Sequence, residues 1–447
     1  MSPACPRSSR VSNRLRATSL ALVTCAALPL LTLAIAPALA AEPARPAAPS
    51  LAAPDSVLTL PWLERTVLER NPSLAAMRSA LAAAEARAPR AGALAPPRRD
   101  VKAAPARVGA ASVEAAWRVG VTQPLPLFGT RGAARAAGRA DADAAGADLE
   151  SLRLDLLRET RMVYVDDYHV ARQALANGAQ LALIRQLHDA AVSRYAAGLA
   201  PEADALQAEV ELAMLDHERV MLGREARLVE SRLDALLHLA QGTRLPAPPD
   251  ELPPIVNMSA TSGDSLPWPE LRAADARVAA ARGELTLARR SRWPSTDLSV
   301  AYDRYWNEPE LRTSVGLMIG LPVDLGQLGD AERQATHHLE AATFERDAVR
   351  DRIDQRIAAA EASLVESRHE TEIIASEVLP ASRRALGSAR AAYASGQTPF
   401  STVLSAARDV ARAEFEVHRA QAAMHQAEAE WSRARAIDAQ PNAGSAR

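Results

Sequence analysis

Apolar residues recur every seven positions along three stretches: Leu149, Leu156, Val163 and Val170; Leu215, Leu222, Val229 and Leu236; and Val403, Val410, Val417, Met424 and Trp431. A seven-residue period lines these side chains along one helical seam and favours lateral coiled-coil packing over a rounded core. Ala, Arg, Glu and Asp fill the positions between, so one flank permits close approach and the other is solvated. If the stretch from Ala133 to Val192 is one helix, it runs about 90 Å at 1.5 Å per residue. That is too long for an ordinary domain and suits a tube.

Elsewhere the period is two. Leu298, Val300 and Tyr302 alternate with Asp297, Ser299 and Ala301, and Thr313, Val315, Leu317, Ile319 and Leu321 alternate with Arg312, Ser314, Gly316, Met318 and Gly320. Val113, Ala115, Trp117, Val119 and Val121 oppose Glu114, Ala116, Arg118, Gly120 and Thr122 in the same way. Such segments predict strands with one apolar and one polar face. They suit a membrane barrel with a wet lumen, or a soluble antiparallel sheet with one buried face. Trp293, Tyr302, Tyr305 and Trp306 are candidates for an interfacial girdle. A further strand near Arg99 to Gly109 is the poorest, because Lys102, Pro105 and Arg107 break any apolar face.

The chain repeats itself. YAAGLAPEADALQAE begins at Tyr195 and YASGQTPFSTVLSAA at Tyr393, 198 residues later. Pro72-Ser73-Leu74 matches Pro269-Glu270-Leu271, and Pro126 with Gly129 is echoed by Pro322 with Gly326. A Pro-rich connector carrying Pro246, Pro248, Pro249, Pro253, Pro254 and Pro267 separates the copies and excludes a continuous helix or central strand there. The expected division is a first repeat over 56–242, a linker over 243–266, a second repeat over 267–437 and a disordered tail over 438–447. Each half reads as a helix, a short β region, a Pro/Gly break and a long helical hairpin.

Arg7, Arg10, Arg14 and Arg16 precede an apolar run from Ala17 to Ile35 that ends in Ala38-Leu39-Ala40, the pattern of an export signal over 1–40, followed by a linker over 41–55. Leu22-Val23-Thr24-Cys25 offers lipidation at Cys25 instead, and a retained anchor is the third option. Cys5 and Cys25 both lie inside the segment, so cleavage after Ala40 leaves no thiol for a disulfide or a metal. With 52 basic against 54 acidic residues and only 4% aromatics, the chain lacks the basic, aromatic-interleaved surface of a nucleic-acid binder.

With signal, duplication, strands and the Tyr-x-x-Gly-x-x-Pro break in place, the mature chain resembles the TolC family of outer-membrane efflux proteins along essentially its whole length. The most specific marks are QPLPLFGTR from Gln123 to Arg131 and the two YAxG elements. The resemblance implies a mainly α fold with a membrane β-barrel: a homotrimer whose protomers each give four strands to a shared 12-stranded barrel and their helices to a trimeric α-barrel in the periplasm. It implies two partners, a periplasmic adaptor (membrane fusion protein) and an inner-membrane pump of the RND type, together with outer-membrane lipid. It places the periplasmic tips, which close the tube and meet the adaptor, at Tyr195, Gly198, Pro201, Glu202 and Asp204 and at Tyr393, Gly396, Pro399, Thr402 and Ser405. Strand gives way to helix at Pro126, Gly129, Pro322 and Gly326. Family members often carry acids just beyond the second tip. The comparable positions here hold Thr402 and Ser405, so an acidic constriction falls to Glu202, Asp204 or Asp409, with Asp204 the expected carrier of cation block.

No nucleophile elbow, P-loop, zincin motif or dinucleotide loop is present, so no catalytic, cofactor or metal residue is assigned. Asp166 and Asp167 lie among arginines and read as solvated or salt-bridged. His337 and His338 are adjacent and diverge on a helix, and His418 and His425 share a face without a third ligand, reading as a solvated helix face. The chain reads as a passive exit duct, closest in general likeness to the CzcC-like and CusC-like heavy-metal channels. Multidrug export and type I protein secretion remain variants, and a pore-less periplasmic coiled-coil adaptor is the rival class.

Overall fold

The seven-residue seams close as helix pairs. A computed structural model of the protein describes residues 57–104, 116–126, 129–254, 268–304, 308–322 and 325–438. The export signal, the 41–55 linker, Tyr305 and Trp306 lie outside the described residues.

In chain order the elements are α1 (Leu60–Arg70), α2 (Pro72–Ala91), β1 (Arg98–Ala104), β2 (Ala116–Pro124), α3 (Thr130–Ala196), α4 (Glu202–Leu236), α5 (Pro269–Arg290), β3 (Ser295–Asp303), β4 (Thr313–Gly320), α6 (Leu325–Ile373), α7 (Leu379–Ala394) and α8 (Phe400–Ala434). α3 has 67 residues and so runs on the order of 100 Å. It packs on α4, and α7 packs on α8, while α8 also lies against α3.

Of the predicted seam residues, Leu156, Val163, Val170, Leu215, Leu222, Val229, Leu236, Val403, Val410, Val417 and Trp431 are all buried. Near the middle of the molecule Leu156, Val163 and Val170 join Val229, Leu233 and Leu236 in one apolar cluster, closed by Leu58, Leu63 and Val67. Towards the hairpin ends Ile184, Ala191, Ala208 and Leu215 join Leu386, Phe400, Val403 and Val410 in another. At the strand-proximal end helices approach through small residues: a Cβ on Gly283 would stand 2.8 Å from that of Ala137, and one on Gly138 would stand 3.2 Å from the Cα of Ala88.

The duplication shows in the backbone. Gly198 and Gly396 take φ values of 70° and 74°, and His238 and Ala436, also 198 residues apart, take left-handed values of 52° and 49° at the ends of α4 and α8. The Val57 bridge to Ala247 ties the Pro-rich segment back to the start of the first repeat.

The strands form one antiparallel sheet in the order β1-β2-β3-β4. Its register sorts the side chains by face: Val101, Val119, Tyr302 and Thr313 fall in line, as do Leu298 and Leu317, while Asp100, Gly120, Ala301 and Ser314 form a row of the other face. β1 corrects the expectation for the poorest strand. It starts at Arg98, and Lys102 belongs to the polar face beside Arg118 rather than breaking the apolar one. Pro105 and Arg107 lie outside the described residues. Trp117 and Tyr302 meet at 5.3 Å between ring centroids, at the end of the sheet away from the helices.

A second difference concerns continuity. α3 is unbroken, whereas the matching helix of the second half passes from α6 through a π-helical turn, Ile374–Val378, into α7, with Pro380 immediately after it. No helix among the described residues is long and apolar enough to cross a membrane.

Candidate functional site at the hairpin tips

Both hairpins end in the same capping arrangement. At the end of α3 the Gly198 amide donates to the Tyr195 carbonyl at 2.8 Å, and the Leu199 amide donates to that of Arg194 at 2.8 Å. At the end of α7 the Gly396 amide donates to Tyr393 at 3.0 Å and that of Gln397 to Ala392 at 2.9 Å. The motif needs a left-handed residue after the helix, which glycine adopts without strain. Pro201 and Pro399 then hold extended N-cap geometry, and the next helices begin at Glu202 and Phe400.

The structure brings the two tips together. The Tyr393 hydroxyl donates to Asp204 Oδ2 at 3.4 Å, its ring meets Phe400 edge-on at 5.5 Å, and the Arg194 guanidinium lies 4.6 Å above the same ring. Arg194 Nη1 also donates to the Tyr393 carbonyl at 3.3 Å. Burial and then the charge of Asp204 raise the Tyr393 phenol above its ordinary value, so it stays a donor at neutral pH. Two turns further along, Arg408 Nε donates to Glu211 Oε2 at 2.8 Å, tying α8 to α4.

Asp204 is only 9% exposed, and its carboxylate faces Tyr393. Thr402, Ser405 and Asp409 instead lie exposed on α8, at spacings of three and four that share a face, and Glu202 is exposed on α4. Glu202 and Asp409 are among the outward carboxylates near the tips, together with Glu209 on α4 and Asp189 on α3. Tyr195 is 48% exposed and takes no part in the contact between the hairpins that its repeat partner Tyr393 makes.

Arg194, Phe400, Glu211 and Arg408 were not singled out from sequence. Glu211 left a signal: it stands three residues after Ala208 and four before Leu215, an acid on an otherwise buried seam, which calls for a cationic partner.

At the other end of α3, Gly129 caps the helix with φ 73° and accepts from Arg290 Nη1 through its carbonyl, and Leu125 continues the sheet by donating to Thr296 at 2.7 Å. Pro126 follows β2 and Pro322 follows β4. Gly326 does not match Gly129: α6 already begins at Leu325, and Gly326 has no left-handed backbone. Between the two ends, Arg433 is buried with Nε 2.6 Å from Asp155 and Nη2 2.6 Å from Glu270, which Arg356 also reaches at 2.9 Å. This brace locks α3, α5, α6 and α8 together.

Two readings of polar residues change. Asp166 is paired with Arg232 at 2.7 Å as expected, but Asp167 is largely buried, and burial followed by the charge of Glu230 pushes its carboxyl up to about 6. His418 and His425 are not on a solvated face: His418 is half-buried, with burial lowering its pKa, and the His425 side chain is 12% exposed, 3.6 Å from Glu428. Among the described residues no group of three or more His, Cys, Asp or Glu is placed to hold a metal.

Two like halves, long hairpins and an amphipathic four-stranded sheet coincide with the sequence profile of the outer membrane efflux protein family, which matches residues 63–237 and 268–434. The chain belongs to that family. Among solved structures it is similar to the outer-membrane channel OprN, at 22% identity over 84% of this chain and 89% of that one with a TM-score of 0.75. It is also similar to the outer membrane protein VceC of Vibrio cholerae, at 18% identity, 84% and 95% coverage and a TM-score of 0.74. CusC follows at 15% identity, 87% and 99% coverage and a TM-score of 0.73. No curated protein is significantly similar by sequence. This outer membrane efflux protein is accordingly an outer-membrane channel whose long helices form a periplasmic tube.

Proposed function

We propose that the protein is the exit duct of a tripartite efflux pump and that its cargo is heavy-metal cations. The observation that carries the duct is the sheet: four strands with one apolar face and two unpaired edges, β1 and β4. Four strands cannot close, and an open edge is not tolerated in lipid, so three copies pair β1 with the neighbour's β4 into twelve strands. The hairpin tips then gather at the opposite end, where the Tyr393–Asp204 and Arg408–Glu211 contacts hold the tube closed until an adaptor engages Gly198, Pro201, Gly396 and Pro399 and their flanks. Glu202 and Asp409 give the entrance its negative charge. The inner-membrane RND-type pump supplies both the energy and the choice of substrate, since among the described residues no group of metal-ligating side chains is placed to select a cargo.

The ground for a metal cargo is the general resemblance of the sequence to the CzcC-like and CusC-like channels; the fold, shared equally with OprN and VceC, does not choose the cargo. Elemental analysis of a deletion strain and its complemented parent under sub-lethal zinc, cobalt, cadmium, copper or nickel tests it. Retention of one metal, reversed by the intact gene, is the expected result. Unchanged metal content together with accumulation of organic toxins would move the assignment to multidrug export.

A further inference from the structure

Lipid covers the apolar face of a membrane-spanning sheet, and one residue on that face does not belong there. The register sets Arg99 in line with Val121, Val300 and Val315. Among the described strand residues of that face it is the one ionised side chain. Its neighbours Arg98 and Lys102 point to the polar face, where Arg118 and Asp303 approach to 3.8 Å. Arg99 is exposed and has no acidic partner among the described residues.

Barrel closure supplies none either. β1 is an edge strand, and the strand that would pair with it is β4 of a second copy, whose same face carries Thr313, Val315, Leu317 and Ile319 and no carboxylate at any register. A guanidinium held against hydrocarbon without a counter-ion is costly, and its long stem lets the head reach the nearest polar layer. Arg99 is the second residue of β1, at the helix-proximal and therefore periplasmic end of the strand. Exposed Trp293 stands at the same junction of helices and strands, a side-chain type enriched at membrane interfaces, and exposed Leu94 and Leu321 add apolar surface there.

The geometry points to a binding site for an anionic phospholipid in the periplasmic leaflet, with the headgroup phosphate on the Arg99 guanidinium fork. Occupancy there sets the depth of the barrel and supplies the counter-ion that the protein lacks. This inference rests on the channel reading of the sheet.

The test uses the full chain reconstituted into phosphatidylcholine vesicles with a rising fraction of phosphatidylglycerol, with retained lipid read by native mass spectrometry. Phosphatidylglycerol is expected to be enriched over its bulk fraction, and Arg99→Gln to lose roughly fivefold of that preference. Lys102→Gln, one residue type and three positions away on the polar face, should leave it intact, and Arg99→Lys should keep part of it. Excess inorganic phosphate should not compete, and competition would overturn the bilayer assignment. Equal retention by Arg99→Gln and the wild type would overturn the site while leaving the channel standing. A chain that inserts into no bilayer would overturn the channel reading and the lipid site together.

Discussion

The Tyr393 hydroxyl reaches the carboxylate of Asp204 at 3.4 Å across the gap between two hairpins whose tips sit 198 residues apart in sequence. Asp204 is buried there and Tyr393 half-buried, so the contact joins the hairpins at a partly shielded site. At 3.4 Å the bond is longer than an ideal charge-assisted one and contributes about 1 kcal/mol. Removing it should raise the open population by roughly fivefold if the open state leaves both groups hydrated. Tyr393→Phe and Asp204→Asn are therefore expected to raise single-channel conductance in planar bilayers and to admit large hydrophilic antibiotics. Divalent block should persist in Asp204→Asn and weaken in Asp409→Asn; the reverse pattern would return the cation ring to Asp204.

Glu211 and Arg408 form the second tie between the same hairpins, with the Glu211 side chain 10% exposed. Losing one partner leaves the other charge unpaired near the seam, which costs more than the pair contributes. Glu211→Lys should open the tip more than Arg408→Ala does, and Glu211→Lys with Arg408→Glu should restore the closed conductance. A double variant as open as Glu211→Lys alone would show that the pair does not act at the tip.

The coiled-coil seams and the alternating strands were legible because each requires only a period. The period names a face and is silent on what covers it. That is why Tyr195 and Tyr393, alike in sequence, differ in the structure, and why Asp204 looked available to solvent until the opposite hairpin was placed against it. Arg99 was obscured for a related reason. Composition alone makes its strand the poorest of the four, and only the register separates Arg99 on one face from Lys102 on the other. Asp167 sits among arginines in sequence, yet the charge that acts on it in the folded chain is that of Glu230 on α4.

Asp167 makes the folded protein respond to pH. Its carboxyl ionises at about 6 in the folded chain and near 3.8 when free. Below both values it is protonated in either state and contributes nothing. As pH rises through 6 the folded state must accept a buried charge beside Glu230, which costs up to roughly 3 kcal/mol at 1.36 kcal/mol per unit. Stability from this group therefore falls between about pH 4 and 6.5 and is level above. Glu270 has the opposite sense, since Arg433 and Arg356 outweigh its burial and hold its pKa low. The difference between Asp167→Asn and wild type isolates the first effect: urea midpoints should show the variant gaining stability from pH 5 to 7.5. Parallel curves would mean that Asp167 is solvated after all.

Pro380 marks a place where the two long hairpins part company. Its counterpart 198 residues earlier is Ala182, inside the unbroken α3. A proline within a helix withholds an amide and drives its ring towards the carbonyl four residues back, here that of Ser376. The π turn over Ile374–Val378 answers this by widening one turn, with the Leu379 amide donating to Ile374 five residues back. The result is a weak point thirteen residues before Tyr393, placed to let the end of α7 swing while α3 stays straight. Pro380→Ala should restore ordinary helix bonding, raise amide protection across 372–381 in hydrogen exchange, and lower the open probability of Tyr393→Phe when the two are combined. The same substitution made with protection unchanged would show that tertiary packing, and not the proline, sets the π turn, and the hinge would have to be sought elsewhere in α6.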